Sequence, residues 1–251
     1  MRAKSLSLLF WAFITISSLL MFPVALLIWA VTLPFDRRKR ILHQFTCFWA
    51  SMYTWLNPVW RVHVHHRERI HRAGPAVMVA NHLSLLDILI LFRLFTHFKW
   101  VSKIENFRVP CIGWNMSLNQ YIPLKRGDRE SVIRMMRECE KTLAAGNSIM
   151  MFPEGTRSTT GRMRTWKTGA FELALASRVP IQPIVLKGSG NALPKRGFVL
   201  QGRHEIEVVV LDPIMPETFE GKSAEDLTEE VRSLIAGHLG EKQLTEAAPA
   251  S

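Results

Sequence analysis

Two short stretches carry side chains able to do chemistry. In Asn81-His82-Leu83-Ser84-Leu85-Leu86-Asp87, a histidine stands five positions before an aspartate. An imidazole held at one nitrogen by a carboxylate keeps its other nitrogen basic and aimed, which suits taking a proton from an alcohol. On one regular helix the two residues would stand about 140° apart, so the histidine must precede the helix. Ser84 as N-cap achieves that, with Asp87 in the first turn. The same Ser84-x-x-Asp87 spacing is a capping-box pattern with Asp for Glu, so Asp87 also has a purely structural reading. In a chain with 9 histidines the spacing alone is a weak signal.

The second stretch is Phe152-Pro153-Glu154-Gly155-Thr156-Arg157-Ser158, continuing into Gly161, Arg162, Arg164 and Lys167. Gly155 permits close backbone approach to a ligand. Thr156 and Ser158 offer hydroxyl donors, and Arg157 suits bidentate recognition of phosphate. The plain alternative is a basic surface turn, which Glu154 inside the cluster disfavours.

Both stretches follow short apolar runs, Ala76 to Ala80 and Ser148 to Phe152, of the kind that form buried strands. Further strands are expected over Arg61 to His66, Lys99 to Ser102, Ile181 to Leu186 and Ile206 to Leu211. Helices are expected over Ser84 to Phe95, Arg129 to Ala145 with Gly146 closing it, and Lys167 to Arg178. One more follows the Ser223-x-x-Asp226 capping box. Strands alternating with helices imply an α/β domain whose central sheet is largely parallel. Ligands bind such sheets at the carboxyl ends of the strands, where both chemical stretches fall.

Ser5 to Phe35 is an uncharged run of 31 residues. A membrane helix needs about 20. The run reads as a membrane anchor that spans with tilt, kinks at Pro23 or folds back as a hairpin; it is too long for a signal peptide. Arg37, Arg38, Lys39 and Arg40 follow it, against Arg2 and Lys4 before it, so the bulk of the chain is expected on the cytoplasmic side. Ile41, Phe45, Phe48, Met52 and Trp55 then recur at helical spacing, as an interfacial helix or, alternatively, one packed on the globular domain, ended by Asn57-Pro58. The expected organisation is an anchor over 1–60, the α/β domain over 61–242 and a disordered tail over 243–251.

The 32 basic and 21 acidic residues give a net charge of +11, which points to a polyanionic partner. Scattered basic residues and the anchor disfavour nucleic acid and favour an anionic membrane. Three cysteines without CxxC spacing exclude a disulfide scaffold and a cysteine zinc site. His63, His65, His66 and His71 cluster without a carboxylate at metal spacing, so a solvated strand is expected and no metal. Gly188-Ser189-Gly190 is not a G-x-S-x-G nucleophile elbow.

Together, His82-x4-Asp87 and Phe152-Pro-Glu-Gly-Thr-Arg-Ser158 resemble the blocks of the 1-acylglycerol-3-phosphate acyltransferase family of glycerolipid acyltransferases. Tyr121-Ile-Pro-Leu-Lys-Arg126 resembles the block between them, and Val179-Pro-Ile-Gln-Pro-Ile184 the last. The likeness spans about residues 62–190. The middle block departs from the family's Phe-Ile-x-Arg, which leaves Lys125 and Arg126 as rivals for its cation. The resemblance implies acyl transfer from a thioester, acyl-CoA or acyl carrier protein, to the hydroxyl of a lysophospholipid, with no cofactor. His82 would be the base and Asp87 its orienter. Arg126, Glu154, Gly155, Thr156 and Arg157 would hold the glycerol phosphate, with Lys103 and Lys167 as weaker candidates. Lysophosphatidic acid is the first acceptor implied; another lysophospholipid or a lyso-aminolipid such as lyso-ornithine lipid is the alternative. A catalytically silent membrane scaffold and a basic polyanion-binding protein are the non-enzyme readings, the first disfavoured by the intact His82 and Asp87.

Overall fold

The computed structural model describes residues 2–158, 162–190, 192–193 and 202–240. Gly161, the expected domain end at 242 and the expected tail over 243–251 lie outside them. Two helices open the chain, α1 (Arg2–Thr32) and α2 (Arg40–Trp55). There follow β1 (Trp60–His65), β2 (Val77–Ala80), α3 (Leu86–Leu91), β3 (Phe98–Lys103), α4 (Ile112–Leu118), β4 (Ile122–Leu124), α5 (Arg129–Ala144) and β5 (Ser148–Met151). Helix α6 (Gly169–Ser177), strands β6 (Ile181–Lys187) and β7 (His204–Val210), and helix α7 (Ala224–Leu239) complete the fold.

The seven strands form one sheet in the order β1-β7-β6-β2-β5-β3-β4. Strands β6, β2, β5, β3 and β4 run parallel; β7 runs against β6, and β1 follows β7. The sheet is therefore largely parallel, as the sequence implies. All of β2 is buried, and β6 is buried up to Lys187, consistent with strands covered on both faces.

Alternate residues face opposite cores. Met78, Ala80, Met150 and Leu186 meet Leu42, Trp49, Tyr53 and Leu86 on one face. Val77, Val79, Ile149 and Val185 meet Phe171, Leu173, Leu227 and Val231 on the other. The first face is thus covered by the amino-terminal helices and the second by α5, α6 and α7.

Helix α1 is continuous, with Pro23 inside it, and does not fold back. It lies along the domain: Phe10 meets Trp60 edge-on at 5.1 Å, Ser17 Oγ is 3.0 Å from the Tyr53 hydroxyl, and Phe22 meets Trp114 at 5.3 Å. Its segment Ser7–Thr32 is long and apolar enough to cross a membrane. Leu8, Leu9, Leu19, Leu20 and Leu27 point outward, and α2 adds exposed Ile41, Phe48 and Trp55. Asp36 starts α2 by accepting from the main-chain N–H groups of Arg40 and Ile41, at 2.9 and 2.8 Å.

The expected helix over Ser84 to Phe95 is shorter: α3 gives way to a 3-10 turn over Phe92–Leu94. Helix α4 and strand β4 were not expected. Strand β4 is short and carries Pro123, which lacks an N–H, and it is tolerated because β4 is an edge strand. The capping box of α7 forms, with Ser223 Oγ accepting from Asp226 N at 3.0 Å.

Candidate active site

The carboxyl ends of β2, β5, β3 and β4 meet at one end of the sheet, and each delivers part of a site. After β2 the chain must turn sharply to bring His82 out of the sheet. Asn81 makes that turn possible. Its buried side chain donates from Nδ2 to the Leu186 carbonyl at 2.9 Å and accepts from Leu186 N–H at 2.8 Å. The amide thus continues the β2–β6 ladder while the main chain leaves it.

His82 Nδ1 then lies 2.9 Å from Asp87 Oδ2. That same oxygen accepts from the main-chain N–H groups of Leu83 at 2.6 Å and Ser84 at 2.8 Å. One carboxylate oxygen of Asp87 thus both folds the turn and holds the imidazole. Ser84 Oγ accepts from Leu86 N at 3.3 Å and donates to the Leu193 carbonyl at 2.8 Å. Asp87 is wholly buried and His82 nearly so. The Phe152 ring stacks on the imidazole at 3.9 Å between centroids and 9° between planes, which shields one face and fixes the ring. With Nδ1 engaged by Asp87, Nε2 remains as the nitrogen that can take a proton.

Glu154 joins the two chemical loops. Its Oε1 accepts from His82 N–H at 2.7 Å and its Oε2 from Arg164 N–H at 3.0 Å. Ser158 N–H also donates to the His82 carbonyl at 2.9 Å. Burial pushes the Glu154 carboxyl up to about 7, against the two N–H groups that favour its charged form. Its place in the site is a brace between backbones.

The cations stand around this brace. Gly155 has φ +66, and a methyl there would meet Lys167 Cε at 3.4 Å, so the lysine stem lies over the glycine. Lys167 N–H donates to the Pro153 carbonyl at 3.0 Å, while its side chain is exposed. Thr156 and Arg157 are half-buried on the same loop. Lys103 ends β3 beside Leu124 of β4, and its ammonium is 3.1 Å from Glu105. Partial burial lowers the Arg126 guanidinium pKa; Glu105 opposes this and the nearby Arg157 cation adds to it. Arg126, Arg157, Glu105 and Lys103 are thus one electrostatic group. Lys125 is directed elsewhere, to Asp128 at 3.1 Å. Arg126, rather than Lys125, therefore shares the field of Arg157.

All the expected site residues therefore gather at one end of the sheet. Sequence reasoning missed the role of Asn81; a buried-strand end followed by an amide and a histidine was its only signal. It also missed the bracing geometry of Glu154. The histidine cluster lies elsewhere: His63 Nε2 is 3.0 Å from Glu205, and His66 is 3.4 Å from Glu68. Among the described residues no three or more His, Cys, Asp or Glu side chains form a metal-binding group. The cysteines are buried and unpaired, and burial pushes the Cys139 thiol up to about 12, which suppresses its thiolate.

Residues 61–187 match the family model described as Acyltransferase. A 1-acyl-sn-glycerol-3-phosphate acyltransferase of Chlamydomonas reinhardtii is 35% identical over 239 residues, which cover 94% of this chain and 70% of that one. A chloroplastic protein of the same name from Arabidopsis thaliana is 37% identical over 204 residues, 80% of this chain and 55% of its own length. The crystal structure of the 1-acyl-sn-glycerophosphate acyltransferase PlsC of Thermotoga maritima superposes with a TM-score of 0.79 at 22% identity, covering 96% of this chain and 95% of that one, and shows the same fold. An α/β sheet that presents a carboxylate-held histidine beside a cationic loop, and a match across its length, make this chain a member of the acyltransferase family.

Proposed function

We propose that the chain transfers a fatty acyl group from acyl-CoA or acyl carrier protein to the sn-2 hydroxyl of lysophosphatidic acid, forming phosphatidic acid. The observation that carries this reading is the pairing of His82 with Asp87 at 2.9 Å on a loop tied to the Arg157 loop. His82 Nε2 takes the proton of the acceptor hydroxyl as its oxygen attacks the thioester carbonyl. The tetrahedral intermediate collapses by breaking the C–S bond, and the imidazolium returns the proton to the thiolate. Asp87 holds the tautomer and stabilises the imidazolium between these steps. Arg126 and Arg157, with Lys103 close by, favour a phosphorylated acceptor, because an acceptor without phosphate leaves these cations unpaired. The names of the relatives support the same acceptor.

The reaction is proposed to run at a membrane, with the catalytic domain on the cytoplasmic side. Contact along the length of α1 suits a helix lying at the bilayer surface, its outward leucines in the lipid. A transfer assay on detergent-solubilised protein tests the reading, offering labelled acyl-CoA or acyl carrier protein with a panel of lysolipids. Turnover on lysophosphatidic acid, absent in His82→Ala, is expected. Turnover on a lyso-aminolipid alone would overturn the acceptor, and full activity in His82→Ala would overturn the base.

A further inference from the structure

At the end of the sheet opposite His82, a cavity of about 340 Å³ opens where the α1–α2 connection meets β3 and the end of α5. Arg37, Arg38, Lys99 and Lys141 line it, with Gln120 and Asn147. None of these residues takes part in the catalytic site.

The charges in this cavity are poorly matched. Lys99 is 1% exposed, and its ammonium donates to the carbonyls of Arg38 at 2.8 Å and Asn119 at 2.7 Å. Two bonds leave one N–H of the ammonium over. Asp36 acts on Lys99 through space, but both of its oxygens accept main-chain N–H groups of α2. Glu138 pairs with Lys141 at 2.7 Å on the exposed rim. Among the described residues no carboxylate pairs with Arg37 or Arg38. The Arg38 guanidinium lies against Gly146, where a methyl would stand 2.6 Å from its nitrogen. Burial lowers the Lys99 ammonium to about 7, and an anion in the cavity would restore its charged form.

A concave cationic wall focuses positive potential, and a guanidinium suits phosphate. The chain leading into the cavity decides the source of that phosphate. Leu33 and Phe35 are 49% and 68% exposed, and they continue the outward apolar face of α1 to the edge of the cations. Basic pockets beside membrane-facing apolar surface suit anionic headgroups. We propose that this cavity holds the phosphate of an anionic glycerophospholipid, with its acyl chains along Leu33 and Phe35, as a lipid site separate from the catalytic one. The proposal rests on the reading of α1 as a bilayer-facing helix, and is independent of the acceptor.

Titrating dihexanoyl phosphatidylglycerol into the full chain in neutral detergent, followed by calorimetry, tests it. Saturable one-to-one binding is expected, weakened about twenty-five-fold in Arg37→Gln/Lys141→Gln, at roughly fivefold for each charge near a lipid surface. Both side chains are exposed, so the variant is expected to keep its melting temperature and its acyl transfer. Lys141→Glu alone should weaken binding as well. Arg157→Ala should leave this binding unchanged. Parent-like binding in the double variant, or loss in Arg157→Ala, would overturn the site. Full competition by equimolar inorganic phosphate would overturn the lipid as its occupant. Because the titration uses no bilayer, failure of α1 to bind phosphatidylcholine vesicles would be seen separately.

Discussion

Glu154 holds the main chain of His82 with one carboxylate oxygen and that of Arg164 with the other, at 2.7 and 3.0 Å, so a single buried side chain ties the base to the cationic loop. Glu154→Gln keeps the size but has only one accepting oxygen, so one buried N–H loses its partner. The cost is about 1–3 kcal/mol, and kcat should fall more than acceptor KM rises. The pH dependence has a definite sign. The carboxyl is raised from 4.5 to about 7 in the folded chain, so between those values the folded state holds a proton that the unfolded state has released. Stability from this group is complete below 4.5 and is lost as pH rises towards 7, by on the order of 3 kcal/mol. Glu154→Gln lacks that loss. Its melting temperature should therefore lie furthest below the parent's near pH 5 and approach it above pH 7. A constant gap across that range would contradict the assignment.

Asp87 Oδ2 accepts three hydrogen bonds, from His82, Leu83 and Ser84. Asp87→Asn leaves an oxygen for the two main-chain donors, so the turn should survive. It removes the charge that fixes the imidazole tautomer and stabilises the imidazolium. A loss of about 10²–10⁴ in kcat is expected with acceptor KM nearly unchanged. Steady-state kinetics on folded protein decide this, and parent-like kcat would reduce Asp87 to a cap.

The separation of Arg126 from Lys125 gives a paired test. Arg126 shares its field with Arg157, whereas Lys125 is held by Asp128. Arg126→Ala should raise the KM for a phosphorylated acceptor about tenfold or more with little change in kcat, since it removes binding common to ground and transition states. Lys125→Ala should stay within about twofold, as an exposed ion pair is worth little. The reverse order of effects would return the role to Lys125.

What was legible in the sequence follows from distance along the chain. His82 and Asp87 are five residues apart, and their pairing is a turn. The buried strands showed as apolar runs, and their carboxyl ends pointed to the loops that carry His82 and Glu154. Glu154 and His82 are 72 residues apart, so no local spacing reveals that one braces the other. Strand β4 was hidden because three residues around Pro123 carry no period. The apolar run of α1 reads the same whether the helix crosses a bilayer or lies along the domain. Contacts such as Phe10 on Trp60, Ser17 on Tyr53 and Phe22 on Trp114 show it lying along the domain.

The outward leucines of α1 yield a localisation test. Leu8, Leu20 and Leu27 are 72%, 64% and 64% exposed, so replacing them disturbs little packing within the chain. Leu8→Ser/Leu20→Ser/Leu27→Ser should lower partitioning into phosphatidylcholine vesicles by at least about a hundredfold, given the free energy of burying leucine in an apolar medium. The melting temperature should be kept. Unchanged flotation with vesicles would show that this face does not meet lipid.

Asn81 offers the sharpest test of how the fold aims the base. Its side chain must both donate to and accept from Leu186, and it is fully buried. Asn81→Asp retains the acceptor, removes the donor and sets a carboxylate against the Leu186 carbonyl. That leaves a buried repulsion worth about 3 kcal/mol or more. The variant should melt well below the parent. Because the side chain touches neither substrate nor imidazole, its effect on turnover must pass through the direction of the His82 main chain. The prediction is a fall in kcat of about tenfold with acceptor KM less affected, since the cationic loop reaches this ladder only through the links of Glu154 and Ser158 to His82. A lowered melting temperature with intact kcat would make Asn81 a strand residue alone, and loss of acceptor binding instead would mean that the two loops move as one.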